Sequence, residues 1–290
     1  EGQRDQLMDR RSFIATMPAI GFLGSKPGGL PVGEEGLLPG RSLVVGEIGI
    51  QLYTLRAPLS EDVAGTLAQV AEIGYQTVEF AGLYGLTPGE MRTTMDAVGL
   101  RAVSSHAGVS DIRGDWASFL EGAQQLGQDF IFVPSIPESE RTPEGLRKLA
   151  EDFNQAGEIA GSGGLHFGYH NHAWEFAALP DGTVPMDLLL ERTEPRLVDW
   201  QMDIFWVVDG GGDPMAYLES QAGRVTSVHV KDRTPDGRMV DVGKGVIDFA
   251  TILPRAEELG MLHAFVEHDT PDAPIESVRY SFNALSALKL

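Results

Sequence analysis

From position 47 onward, short β-branched runs alternate with longer segments whose apolar residues recur at i, i+3, i+4 and i+7. The runs have the character of strands, and the longer segments have the period of amphipathic helices. Strands are predicted at 48–53, 77–80, 101–105, 130–133, 166–170, 197–203, 225–230 and 264–267, and helices at 62–73, 88–98, 116–126, 144–160, 185–192, 214–220, 249–259 and 275–288. The series Leu146, Leu149, Ala150 and Phe153 shows the helical spacing. Capping chemistry agrees: Ser60 precedes Glu61-Asp62, and Thr87, Thr142 and Asp213 each precede a proline. Gly74, Gly99, Gly127 and Gly260 stand where helices should stop.

Eight strands, each followed by a helix and with no composition break over 44–290, predict an α/β protein with a single (β/α)8 barrel. An open doubly wound sheet is the alternative, but no G-x-G-x-x-G follows the first strand. Gly210-Gly211-Gly212 and Gly161-Ser162-Gly163-Gly164 read as loop and helix-end glycines, without the spacing or lysine of a phosphate loop.

Composition narrows the partners. The chain has 290 residues, 42 acidic against 22 basic side chains and a net charge of −20. That balance repels nucleic acid and anionic lipid surfaces and favours metal cations and neutral or weakly charged small molecules. With no cysteine, any metal site must use nitrogen and oxygen ligands. Arg10-Arg11 ahead of a short, modestly apolar stretch to Leu23 resembles a twin-arginine export signal, with Met8 as the start. The Gly- and Pro-rich stretch after it then reads as a flexible leader, so 1–43 is expected to precede the fold and the mature protein to be periplasmic. The apolar stretch is shorter than the ~20 residues that span a bilayer, so no stable membrane insertion is expected.

Four potential metal ligands, Glu175, Asp203, His229 and Glu267, stand at or just beyond the ends of predicted strands. In a parallel barrel those ends share one rim. Asp203, in Met-Asp-Ile-Phe-Trp, and Glu267, in Phe-Val-Glu-His-Asp, are carboxylates in apolar surroundings, and each needs a cation, an arginine or a cap. His229 closes an apolar run, where a hydrogen-bonded core histidine is the plainer reading. His170 and His172 point to the same side if the chain is extended, with Glu175 three residues further into the loop.

The strings Tyr-His-Asn-His-x-x-Glu-Phe (169–176), Asp-Ile-Phe-Trp (203–206), His-Val-Lys-Asp (229–232), Gly-Lys-Gly-x-Ile-Asp-Phe (243–249) and Val-Glu-His-Asp (266–269) together resemble the sugar phosphate isomerase/epimerase family of xylose isomerase-like TIM barrels. The resemblance runs from about Glu47 to the C-terminus. It implies that Glu175, Asp203, His229 and Glu267 hold one divalent ion, such as Mn, Zn, Co or Mg. Many relatives carry the first glutamate on the fifth strand itself, where this chain has Gly168-Tyr169-His170. Glu175 must therefore reach back from the loop, or His170 or His172 replaces it.

The chemistry expected is proton abstraction beside a sugar carbonyl through an enediolate, with Glu175 and Glu267 as base and acid. Re-protonation gives isomerisation or epimerisation, and loss of a β-substituent gives a lyase, including one acting on 3-keto sugars or glycosides. Further rim candidates for substrate binding are Gln51, Tyr53, Glu79, His106, His170, His172, Trp174, Trp206 and Lys231, the last with an ion pair to Asp232 as its alternative. With no arginine cluster evident, an unphosphorylated sugar is favoured. A non-catalytic exported sugar-binding protein and an apurinic endonuclease are the rivals. The first would not need converging carboxylates, and the second needs a basic, histidine-rich surface, against 7 histidines here. A homo-oligomer is compatible with everything above.

Overall fold

The computed structural model describes residues 47–288. The twin-arginine-like segment and leader, 1–43, lie outside the described residues. Eight parallel strands close into one barrel: β1 (Ile48–Gln51), β2 (Thr77–Phe80), β3 (Arg101–His106), β4 (Phe130–Val133), β5 (His166–His170), β6 (Asp199–Asp203), β7 (Val225–Val230) and β8 (His263–Val266), with β8 returning to β1. Outside them lie α1 (Val63–Ile73), α2 (Pro88–Val98), α3 (Trp116–Leu126), α4 (Pro143–Ser162), α5 (Pro185–Arg192), α6 (Pro214–Ser220), α7 (Phe249–Glu258) and α8 (Pro274–Ser286).

The glycine stops behave as their positions require: Gly74, Gly99, Gly127 and Gly260 all have positive φ. Thr87, Thr142 and Asp213 cap α2, α4 and α6 through their side chains. The α1 cap is Asp62, which accepts from the Gly65 amide, and not Ser60, whose hydroxyl donates to the Ala57 carbonyl in the short helix Arg56–Glu61. The first strand ends at Gln51, two residues before the predicted end, because Leu52–Leu55 turns into a 3-10 helix.

Alternation along the strands divides the residues between two cores. Ile50, Val78, Ile131, Val133, Phe167, Tyr169, Trp200, Met202, Val228, Val230 and Val266 join the large apolar cluster shared with the helices. A separate cluster of Val103, Phe130, Phe132 and Phe265 comes from the opposite strand faces, inside the barrel. On those same inward faces, toward the C-terminal strand ends, lie Gln51, Glu79, Ser104, His170, Gln201, Asp203, Ser227 and His229, all buried. The barrel therefore has an aromatic floor with a polar layer above it. A two-stranded ribbon, Asp232–Arg233 with Met239–Val240, lies in the loop after β7.

Candidate active site

The polar layer is organised around Glu79. Register sets Gln51 beside Glu79 and Asp203 beside His229. Glu79 is fully buried and accepts from Gln51 Nε2 at 2.7 Å, Gln201 Nε2 at 2.6 Å and the Ser104 hydroxyl. The His229 ring contacts it through Nε2 at 2.6 Å and His106 through Nε2 at 3.1 Å. Burial alone would raise the Glu79 carboxyl, but the two imidazoles hold it well below the usual range.

Above Glu79, ligand atoms of Asp203, His229 and Glu267 lie within 4.8 Å of one another. His229 Nδ1 is 2.7 Å from Glu267 Oε2 and 3.9 Å from Asp203 Oδ2. Asp203 divides its oxygens. Oδ1 accepts from the Trp206 amide and caps the short helix Ile204–Asp209, while the buried Oδ2 accepts no hydrogen bond. Lys231 Nζ is 2.9 Å from that oxygen but outside hydrogen-bonding alignment, so the contact is Coulombic. The same ammonium lies 2.8 Å from both Glu267 and Asp269.

Charges follow from these contacts. Burial pushes Asp203 up to about 6 despite Lys231. Burial acts on Glu267 too, but Lys231 and His229 outweigh it and hold the carboxyl at about 2. Burial opposes the charge on His229, yet Glu79 and Glu267 raise it to about 10. His170 is driven well below its ordinary value by burial and by the charge on His229. Burial also pulls His172 down to about 4.

Glu175 is not brought into this group. Tyr169 points outward from β5 into the strand–helix core, where its ring is 5.6 Å from Phe153, and its hydroxyl donates to Glu175 Oε1. The other oxygen, Oε2, accepts from the His172 amide at 2.9 Å. Glu175 thus pins the loop after β5 from the outer side, and burial raises its carboxyl to about 7. His170 is the residue of this segment that faces inward, with Nε2 3.7 Å from Asp203 Oδ2. His106, His170 and His229 form a second group of mutually close ligand atoms. Asn171 between the two histidines is structural: its Oδ1 accepts from Trp200 Nε1 and the Asp203 amide, tying the end of β5 to β6.

The other candidates fall at different heights. Gln51 and Glu79 are buried in the layer beneath the rim, with no surface to offer a substrate. His172 packs near Trp206, ring centres 5.6 Å apart, and the buried Trp206 Nε1 has no partner. Trp174 lies against Arg141 and the exposed Tyr53 lies under Arg56. Lys231 does not pair with Asp232. That carboxylate accepts four backbone amides, from Arg233, Gly243, Gly245 and Ile247, and so closes the loop after β7. Gln201, Ser104, Ser227 and Asp269 are site residues that the sequence reading did not single out. Their signal is a polar residue at an inward strand position, or an acidic one just past a strand end.

The donors fit a divalent ion: two carboxylates and an imidazole converge without a thiolate, and a buried oxygen among them lacks a hydrogen bond. Among the described residues no helix is long and apolar enough to cross a membrane.

A family model describing the xylose isomerase-like TIM barrel matches residues 67–288. An inosose dehydratase from Geobacillus kaustophilus is 25% identical over 234 residues, which is 67% of this chain and 75% of that protein. A sugar phosphate isomerase/epimerase structure from Parabacteroides distasonis is 28% identical, with a TM-score of 0.73 over 85% of this chain and 96% of its own. A 3-keto-D-glucoside 4-epimerase from E. coli shares the fold at 17% identity, with a TM-score of 0.63 over 82% of this chain and 98% of its own.

Proposed function

The chain belongs to the xylose isomerase-like TIM barrel family, and from that premise we propose that it is a divalent-metal-dependent enzyme that removes a proton beside the carbonyl of an unphosphorylated sugar. The observation that carries this reading is the convergence of Asp203, His229 and Glu267 at the strand ends around an oxygen without a hydrogen bond. These three residues would hold the ion. When bound, it would act as a Lewis acid on the carbonyl oxygen and a neighbouring hydroxyl.

The chain's own groups then divide the work. His172 is neutral at physiological pH, and its backbone is pinned by Glu175, so it takes the place that the sequence reading gave to Glu175 in the proton-transferring pair. Glu267 is the other member. One of the two takes the proton from the carbon next to the carbonyl, the electron pair moves toward the carbonyl oxygen, and an enediolate forms. Return of a proton to the adjacent carbon isomerises the sugar, and return on the opposite face epimerises it. The Trp206 N–H has no partner, and a sugar oxygen would supply one.

The rim arginines favour a substrate without phosphate. Arg56 donates to the Tyr53 and Asp269 carbonyls, Arg141 donates to the Ile136 carbonyl, and Arg233 pairs with Asp209. Each of the three is thus engaged by a partner within the protein.

A lyase is the second reading, supported by the dehydratase relative. The same enediolate expels the oxygen substituent β to the original carbonyl, which in a 3-keto glucoside is the glycosidic oxygen at C1; it leaves as the alcohol, taking up the abstracted proton, and a C1–C2 double bond conjugated to the carbonyl remains. Incubating the Mn²⁺- or Zn²⁺-supplemented protein with 3-keto glucosides in D₂O separates the outcomes by NMR. Deuterium beside the carbonyl supports proton abstraction, an enone absorbance marks the lyase, and failure to exchange with any keto sugar removes the proposal. We further propose export through the Arg10-Arg11 segment; recovery of the full chain only from the cytoplasmic fraction of an expressing cell would refute it.

A further inference from the structure

We propose that Gln201 is a positioning residue that fixes the tautomer of His170 and so makes His170 Nε2 a fourth donor to the metal site. This inference rests on the metal reading above. Glu79 is ringed by donors, Gln51 Nε2, the Ser104 hydroxyl and His229 Nε2, and its carboxylate oxygens accept from them. Gln201 Nε2 is 2.6 Å from Glu79 Oε2 and 3.0 Å from the Ser227 hydroxyl, so the amide nitrogen is the end that faces the carboxylate. Gln201 Oε1 is thereby turned toward two imidazoles, 2.9 Å from His106 Nε2 and 3.0 Å from His170 Nδ1. A carbonyl oxygen also only accepts, so His170 must donate to it through Nδ1–H.

A proton held on Nδ1 by that bond makes Nε2 the ring nitrogen left to offer a lone pair. That lone pair is 3.7 Å from Asp203 Oδ2, which itself accepts no hydrogen bond. No hydrogen bond joins these two buried acceptors, and the Lys231 ammonium 2.9 Å from Asp203 Oδ2 is out of alignment with that oxygen, so a cation shared between the two would satisfy both. Glu79 does for His229 what Gln201 does for His170. By accepting from Nε2–H it leaves the Nδ1 edge toward Asp203 and Glu267. The layer under the rim therefore orients two imidazole edges toward the same carboxylates.

The test uses ¹⁵N-histidine-labelled full chain titrated with Zn²⁺, with ring nitrogens assigned through His170→Gln. The expected result is an Nδ1–H tautomer at His170 before zinc and movement of its Nε2 resonance with zinc. Zinc uptake that moves His229 but leaves His170 unmoved overturns this inference alone. No uptake, with His229 also unmoved, overturns the metal reading together with it.

A double-mutant cycle separates positioning from mere packing. Gln201→Leu should weaken zinc roughly 10–100-fold, the usual effect of losing an outer hydrogen-bond partner of a ligand. A carboxylate has no tautomer to set, so in a His170→Glu background the same Gln201→Leu change should alter zinc affinity by no more than about twofold. Equal losses in both backgrounds would show that Gln201 acts through packing or through Glu79 and not through His170, and would refute the proposal.

Discussion

Lys231 is a lysine ammonium closed among three carboxylates, a charge that the fold retains only because its partners are also buried. Burial opposes that charge, yet Asp203, Glu267 and Asp269 together keep it protonated well above the ordinary lysine value. Lys231→Met should therefore destabilise the chelated protein by about 3–5 kcal/mol, because it leaves neighbouring carboxylates without their cation. Added Zn²⁺ should restore part of the loss; denaturant unfolding with and without zinc measures both. Glu175 makes a pH prediction of the opposite kind. Its folded carboxyl holds its proton to about 7 against an ordinary 4.5, so between those values the folded state binds more protons than the unfolded one. The stability it contributes is complete below pH 4.5 and is lost as pH rises through 7, on the order of 3 kcal/mol in all. Relative to Glu175→Gln, the wild type should lose melting temperature between pH 5 and 8; parallel profiles would remove the assignment. Asp203 and Glu267 were legible in the sequence because a carboxylate in an apolar strand needs a partner. Glu175 was misplaced because a motif does not say on which side of its strand a loop residue returns, and here Tyr169 draws it outward. Gln201 gave little warning, since an uncharged amide raises no burial alarm.

At the scale of elements, the loop after β7 is built on one side chain. Asp232 gathers the amides of Arg233, Gly243, Gly245 and Ile247, which joins the His-Val-Lys-Asp string to the Gly-Lys-Gly-x-Ile-Asp string. A Cβ on Gly245 would lie 2.1 Å from Asp232 Oδ1 and 2.3 Å from the Arg233 carbonyl, so that glycine is required by close approach and not by phosphate binding. Asp232→Asn turns an amide group toward donors in place of an oxygen. It should cost about 2–4 kcal/mol, since hydrogen bonds to charged groups contribute about 1.5–3 kcal/mol each. Hydrogen exchange should rise across 233–247 while β1 to β6 stay protected; unchanged exchange there would refute the clamp. Most of the elements themselves could be read in advance, because strand runs, helix spacing and glycine stops agree with one another. The helix Ile204–Asp209 could not, as six residues are too few to show a period. Its cap is Asp203, so the residue read from sequence as a ligand also begins a helix, and the two duties take separate oxygens.

At the scale of the whole molecule, the ion site connects elements far apart in the chain. Asp203 ends β6, His229 lies on β7 and Glu267 follows β8, while Glu79 beneath them belongs to β2 across the barrel. No part of that set is assembled in an unfolded chain, so an ion that binds it binds the native state and shifts the folding equilibrium by mass action. At a free concentration one hundred times the dissociation constant the gain is about 2.7 kcal/mol. For a domain of this size each kcal/mol moves the melting temperature by roughly 2–4 °C, which predicts a rise of roughly 5–11 °C. The net charge of −20 adds a general attraction for cations, and this must be separated from the site. Salt does so: a diffuse effect is screened at 0.5 M NaCl, where the Debye length falls to roughly 4 Å, whereas direct coordination persists. Zinc or manganese should therefore raise the melting temperature in high salt, and Asp203→Ala should abolish that rise while leaving the response to Mg²⁺ in low salt largely intact. A metal-induced shift that vanishes with salt, or one that survives Asp203→Ala, would place the stabilising ion elsewhere on the acidic surface and not at the barrel rim.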